Sequence, residues 1–267
     1  MTTGVERAAL VAIWTAMAAV VLTLLAPLVV TLAVSISSSP VFNLPPPELS
    51  LRWYRRTLTL RELGPSVRVS VEIALLSTGI SLMLGTLCAM AVARGRFPGK
   101  TALVTFMVSP LMMPGLVVGV ALLQALRDVG LRDALAGLLI GHVVITLPYV
   151  TRTVLASLSL FDWTLIEAAR TLGCSYPRAL LRVMVPVLAP AFLTSGLFAF
   201  LASLDNYPIS IFLVDARTKT LPILMLQYLE ENPDPTIAAI SAGLIALTII
   251  VLVAADRLVG LRRLADF

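Results

Sequence analysis

The chain reads as an all-α integral membrane protein with six transmembrane helices, and two observations predict that class. Hydrophobic residues make up 58% of its 267 residues and charged residues 13%, about half the ~25% charged content of soluble domains. Six segments also carry uncharged runs close to the roughly 20 residues that cross a bilayer. In hydrocarbon each segment must satisfy its own backbone hydrogen bonds, so each is expected to be a helix.

The first run, 8–36, predicts a span at about 10–34. It far exceeds the 7–15-residue apolar core of a cleaved signal peptide, so a retained membrane helix is expected. In the segment that follows, 50–63, Leu51, Tyr54, Leu58 and Trp53 alternate with Arg52, Arg55, Arg56 and Arg61. One apolar stripe under a basic face predicts an amphipathic helix lying at the outer interface.

The run 73–93 places the second span at about 68–93, and 101–126 places the third at about 101–125. The turn between them, Gly95 to Thr101, looks like a phosphate-binding loop. It has three residues between its glycines where that motif needs four, and Pro98 removes an N–H that a phosphate cradle would use. No nucleotide site is read here, so the energy for any work must come from a partner or an ion gradient.

The run 134–151 is the shortest but continues past Arg152, giving a fourth span at about 135–158. His142, the only histidine, lies in it with no carboxylate in the same span. A helix-packing hydrogen bonder is expected rather than a proton relay. The fifth span is expected at about 188–213 and the sixth at about 236–256. Cys88 and Cys174, one within a span and one in a loop, suggest neither a disulfide framework nor a metal site.

Basic residues in short loops orient such a chain. Arg7, the turn with Arg94, Arg96 and Lys100, the loop with Arg170, Arg178 and Arg182, and the tail with Arg257, Arg262 and Arg263 share one side. That side is expected to be cytoplasmic, with both termini. Arg52, Arg55, Arg56, Arg61 and Arg68 fall opposite. The net charge of +5 is read as topology signal, without nucleic acid as partner.

The most informative stretch is the loop 160–186. Trp163, Ile166, Ala169 and Leu172 recur at close to helical spacing, predicting a short helix with one buried face. Gly173 stands where a helix ends in a left-handed residue. Ser175 is placed to cap the next helix and Pro177 to occupy its first turn. Two short helices thus meet at a corner, with small Ala168 and Ala169 permitting close approach and Glu167 offering a charge-assisted hydrogen bond to a basic partner. Pro186 and Pro190 punctuate entry into the fifth span.

The full spacing is Glu167-Ala168-Ala169, three residues, Gly173, nine residues, then Val183-x-Val185-Pro186. It resembles the Glu-Ala-Ala loop of the membrane subunits of ABC importers. Leu51-Arg52-Trp53-Tyr54, the turn 94–100, Leu147-Pro148-Tyr149-Val150, Ser203-Leu204-Asp205-Asn206 and Thr220-Leu221-Pro222 are similar to the second permease subunit of spermidine/putrescine-type importers. The chain departs from that pattern with Val69 before Ser70, where asparagine is usual, and with Ala191 after Pro190, where many relatives have glycine.

The resemblance implies a type I ABC importer permease fold, with 1–267 as a single transmembrane permease domain. It implies a pore-forming subunit, not an enzyme, that passes a small solute such as a polyamine to the cytoplasm by alternating access. The coupling residues would be Glu167, Ala168, Ala169, Gly173 and Pro186. The partners implied are two ATPase subunits that bind the ATP, a second permease of different sequence, an extracytoplasmic solute-binding protein and the lipid of a bacterial inner membrane. No catalytic residue, metal or cofactor is expected on this chain. An ion-coupled carrier or channel is the alternative.

Moving helices need smooth contacts and bends. Gly115-x-x-x-Gly119 and Gly137-x-x-x-Gly141 are read as close-packing faces, and Pro27, Pro110, Pro114, Pro148 and Pro208 as kinks. Asp205 and Asn206 are the candidates for the substrate path. A carboxylate inside a span costs about 2.5–3.5 kcal/mol and usually faces a cavity or partner. At the outer end of its helix it would instead reach interfacial water, and both readings stay open at this point.

Overall fold

The computed structural model describes residues 4–259, so Arg262 and Arg263, expected in a cytoplasmic tail, lie outside the described residues. Among the described residues, four helices are long and apolar enough to cross a membrane. Two bent helix pairs bring the number to six when each pair counts as one span. The chain divides into two compact units, one formed by the residues up to Arg61 with Met225–Leu247, the other by Glu62–Leu224 with the residues from Thr248.

The first unit begins with α1 (Gly4–Ser35), whose apolar side chains are exposed along most of its length. Pro27 lies inside α1 and the helix continues through it. The following loop is pinched shut, since Ser38 N donates to Glu48 O at 2.9 Å and Ser50 N to Ile36 O at 2.7 Å.

That closure seats α2 (Arg52–Thr59). The helix is amphipathic as expected, but its aromatic residues pack inward instead of joining the exposed leucines. Trp53 turns inward and its Nε1 donates to Ser37 O at 2.8 Å, while Tyr54 Oη pairs with Ser35 Oγ at 2.9 Å. Leu51 and Leu58 stay exposed. The indole and phenol each carry a polar group that seeks a partner when buried, which pulls them to one side of the helix.

The same unit holds most of α12 (Leu221–Glu231) and the first part of α13 (Thr236–Val259). Between those helices Asp234 accepts from Thr236 N at 2.9 Å and from Tyr228 Oη, and pairs with Arg56 at 3.4 Å. A carboxylate at the first turn satisfies an orphan N–H and complements the helix dipole.

The second unit is built on α3 (Leu63–Arg94), α6 (Ala134–Ser159) and α10 (Ala189–Leu204), which pack against one another. Gly85 permits a close approach of α3 to α6, because a Cβ there would stand 2.8 Å from Val150 Cγ1. One face of α3 buries Ser66, Ser70, Ser77 and Ser81. Small hydroxyl residues of this kind let backbones approach and hydrogen-bond across helices in a membrane. Ser70 Oγ accepts from Leu221 N at 2.7 Å, and Ser81 Oγ pairs with Thr146 Oγ1 at 2.7 Å.

The third span is broken. After α4 (Lys100–Val108) comes a 3₁₀ turn, Ser109–Met112, then α5 (Gly115–Asp128), and the two halves meet at 111°. Pro110 and Pro114 flank the break and account for it by removing helix donors. Pro148, in contrast, lies inside α6, which continues through it.

Both Gly-x-x-x-Gly pairs face the short α11 (Ser210–Leu213) and the residues before it. Gly119 lies against Pro208, Ile209 and Phe212, and Gly141 against Ile209 and Leu213. Ile73, Val118, Leu138, Ile209 and Leu213 fill the core around them.

Candidate functional site

The loop between α6 and α10 is an organised corner. Asp162 Oδ1 accepts from Thr164 N at 2.9 Å and Thr164 Oγ1 at 2.8 Å, which opens α7 (Thr164–Thr171). Those two bonds, the hydroxyl first, hold the Asp162 carboxyl below its usual value. Ile166, 1% exposed, anchors α7 in a core shared with Phe161, Ala179, Met184 and Leu188. Trp163 packs edge-on to Phe161 with ring centres 5.1 Å apart, and the Arg94 guanidinium lies 4.7 Å from the centre of the Trp163 ring.

Gly173 ends this helix at φ +82°. Its N–H donates to Arg170 O at 3.0 Å, and Cys174 N donates to Ala169 O at 3.1 Å. The paired bonds are a Schellman motif, and Ala169 and Cys174 both pack against the core beneath it. No heavy atom outside its neighbours lies within 4 Å of where a Cβ on Gly173 would stand, so glycine is required there by backbone conformation and not by crowding.

Beyond the corner, α8 (Tyr176–Ala179) starts with Pro177 in its first turn. Ser175 occupies the cap position, but its side chain makes no capping bond. A π-helical turn, Leu180–Met184, leads to α9 (Val185–Val187), and the chain then bends by 71° into α10 at Pro186 and Pro190.

The exposed face of the corner is mixed. Glu167 and Ala168 are exposed, Ala169 is half-buried and Pro186 is exposed. Among the described residues Glu167 makes no ion pair. Leu172, expected on the buried face, is 89% exposed, because it follows the last helical residue and is carried outward at the corner. Leu160, Leu165 and Leu181 are exposed beside it. Arg170, Arg178 and Arg182 are exposed on the same loop, so a core-anchored underside carries a tip of apolar side chains among charges, a surface suited to docking another protein.

The other candidates sit at the far end of α10. Asp205 follows Leu204 as the helix ends, is exposed, and makes no ion pair among the described residues. It lines a cavity of about 310 Å³ with Pro110, Leu111, Ile145, Tyr149 and Asn206. Asn206 Oδ1 accepts from Ile209 N at 3.1 Å, so that oxygen is engaged in shaping the turn.

Ser203 and Ser210 flank this turn and Ser77 of α3 lies against Ser203, all three buried; of these the sequence marks only Ser203, through the Ser203–Asn206 motif. For Ser77 a signal was present in the 7- and 4-residue steps from Ser70 through Ser77 to Ser81, which place those α3 serines on one helix face.

The chain matches, over residues 81–262, the family described as binding-protein-dependent transport system inner membrane component. It is 31% identical over 204 residues to the spermidine/putrescine transport system permease protein PotC of Haemophilus influenzae, covering 76% of this chain and 79% of the relative. PotC of Escherichia coli is 26% identical over 230 residues, covering 86% and 87%. Among solved structures, a bacterial ABC transporter involved in the import of the acidic polysaccharide alginate superposes with a TM-score of 0.71 at 19% identity. That match covers 97% of this chain and 98% of the other, and it shows a shared fold.

Proposed function

Because the chain belongs to the family of inner membrane components of binding-protein-dependent transport systems, we propose that it is the pore-forming permease subunit of an ATP-driven importer of a polyamine. The observation that carries this reading is the corner at Gly173, with its core-anchored underside and the exposed Glu167 and Leu172. The knob inserts into a groove on each of two ATPase subunits, which alone bind ATP. Glu167 meets a basic residue there in a charge-assisted contact.

Closure of the ATPase pair carries the knob. The 71° bend at Pro186 and Pro190 passes that displacement to α10, so that a two-state helix bundle is biased from inward-facing to outward-facing. A second permease of different sequence completes the pore, and an extracytoplasmic binding protein delivers the solute. Both termini face the cytoplasm.

The polyamine reading is supported by the similarity to PotC and by the Asp205 cavity. A protonated amine would find an unpaired carboxylate there, with the Tyr149 ring nearby for cation–π contact.

The test is co-purification of the tagged chain from its native membrane, with and without Glu167→Lys. The wild type is expected to bring an ATPase and a second permease. The variant should lose the ATPase and radiolabelled spermidine uptake while staying in the membrane. Full uptake by Glu167→Lys would overturn the docking role. Wild-type uptake by Asp205→Asn would remove Asp205 from the substrate path.

A further inference from the structure

Asp205 and Asn206 sit on a turn whose two arms are tied to one side chain. His142, 2% exposed on α6, has Nδ1 2.6 Å from Ser203 Oγ, before the turn, and Nε2 3.0 Å from Ser210 Oγ, after it. The proton positions follow from the partners. A carbonyl can only accept, so Ser210 Oγ gives its single proton to Asn206 O at 2.6 Å. Its lone pair then faces His142, and Nε2 carries the ring proton.

Nδ1 is left as an acceptor and takes the hydroxyl proton of Ser203. Ser77 Oγ, on α3, lies 3.1 Å from Ser203 Oγ. The result is a one-way chain, Ser203 to His142 to Ser210 to the Asn206 carbonyl, in which each donor gives its one proton to the next, while Ser77 Oγ also lies 3.3 Å from Ala74 O and so stands outside the fixed order. Separately, Thr146 Oγ1 donates to the His142 carbonyl at 2.7 Å and pairs with Ser81 of α3, so the backbone of α6 is tied to the same neighbour. A buried network satisfied at every position holds one geometry, because any other leaves a polar group unpaired.

We infer that His142, as the neutral Nε2–H tautomer, is the positioning residue that clasps both arms of the turn and holds the Asp205 carboxylate at the cavity wall. The inference rests on the reading of Asp205 as part of the substrate path for its functional consequence, though not for the clasp itself. A glutamine at 142 keeps one acceptor and one donor on a planar group and should preserve the clasp in part. A leucine keeps the bulk and removes both.

Two measurements on the full complex in lipid nanodiscs test this. His142 is the chain's only histidine, so ¹⁵N-histidine labelling of this subunit alone gives a single ring signature. A protonated Nε2 with a bare Nδ1 is expected. The opposite tautomer or an imidazolium at neutral pH would overturn the assignment, and Ser210→Ala should erase the tautomer preference.

In a background with Cys88→Ala and Cys174→Ala, a nitroxide attached through Asp205→Cys reports the turn. His142→Leu should narrow its spectrum, with Ser210→Ala as a milder variant if the first does not assemble, and His142→Gln should restore most of the broadening. Equal label mobility in all of them would overturn the clasp. Wild-type spermidine uptake by Asp205→Asn, with label mobility still following His142, would leave the clasp standing and reject only the substrate-path reading.

Discussion

Gly173→Ala isolates the corner with the smallest chemical change available. At φ +82° an alanine pays the left-handed penalty of about 1–2 kcal/mol. Nothing within 4 Å opposes the added methyl group, so no packing cost is added. The usual gain from stiffening the unfolded chain is outweighed, because the native conformation disfavours alanine. If the corner must hold this shape to dock, ATPase affinity should fall by about 5- to 30-fold.

The assay is titration of the purified ATPase onto the complex-forming permease pair in nanodiscs, followed by binding-protein-stimulated ATP hydrolysis. Gly130 provides the control, with φ +79° and equally open surroundings but a place beyond α5. Gly130→Ala carries the same backbone penalty and should leave ATPase affinity unchanged. Asparagine tolerates the left-handed region, so Gly173→Asn should recover most of the loss. Wild-type affinity in Gly173→Ala, or an equal loss in Gly130→Ala, would refute the argument.

Three further outcomes are expected. Arg94→Gln removes the guanidinium from the Trp163 face, a contact worth about 0.5–1 kcal/mol. Stimulated hydrolysis should drop by up to about fivefold, and Trp163→Leu should add little to that variant in a double-mutant cycle. Gly119→Ala puts a methyl group 2.6 Å from Phe212 Cδ2. Overpacking of about 1–3 kcal/mol outweighs the roughly 1 kcal/mol helix-propensity gain, so thermal unfolding should come at lower temperature, whereas Gly79→Ala, in open space, should be neutral or stabilising. Asp162, held low by Thr164, contributes at and above its unfolded value near 4. That contribution is lost as pH falls through the lower folded value, so exchange protection of the Thr164 amide should be flat from pH 8 to 5 and fall only in stronger acid, with Asp162→Ala unprotected throughout.

The corner was legible in the sequence because glycine and proline act locally. Gly173 and Pro177 determine backbone angles whatever surrounds them, and the structure places both as their chemistry dictates. Hydropathy could not show the bends. A run such as 101–126 reads as one span although Pro110 and Pro114 break it at 111°, since composition is blind to direction. The end of α10 at Leu204 was hidden likewise, because the apolar residues Ile209, Phe212 and Leu213 that follow serve α11. Leu172 was misplaced because helical periodicity was carried one residue past the helix. His142 was legible as a packing hydrogen bonder, but its partners were not, because they lie 61 and 68 positions away, a separation that no local pattern encodes.

Gly119 and Gly141 look alike in the sequence but differ in how they can be repaired. What a methyl group on Gly141 would strike are side-chain ends, Leu213 Cδ1 at 2.6 Å and Ile209 Cγ2 at 3.0 Å. Trimming those partners would make room. At Gly119 the obstacles include the Pro208 carbonyl oxygen at 3.0 Å and Ile209 Cα at 3.2 Å, which no exchange of side chains removes. A compensating second change is therefore open to the fourth span and closed to the third, where the turn and the helix have to be inherited as a pair.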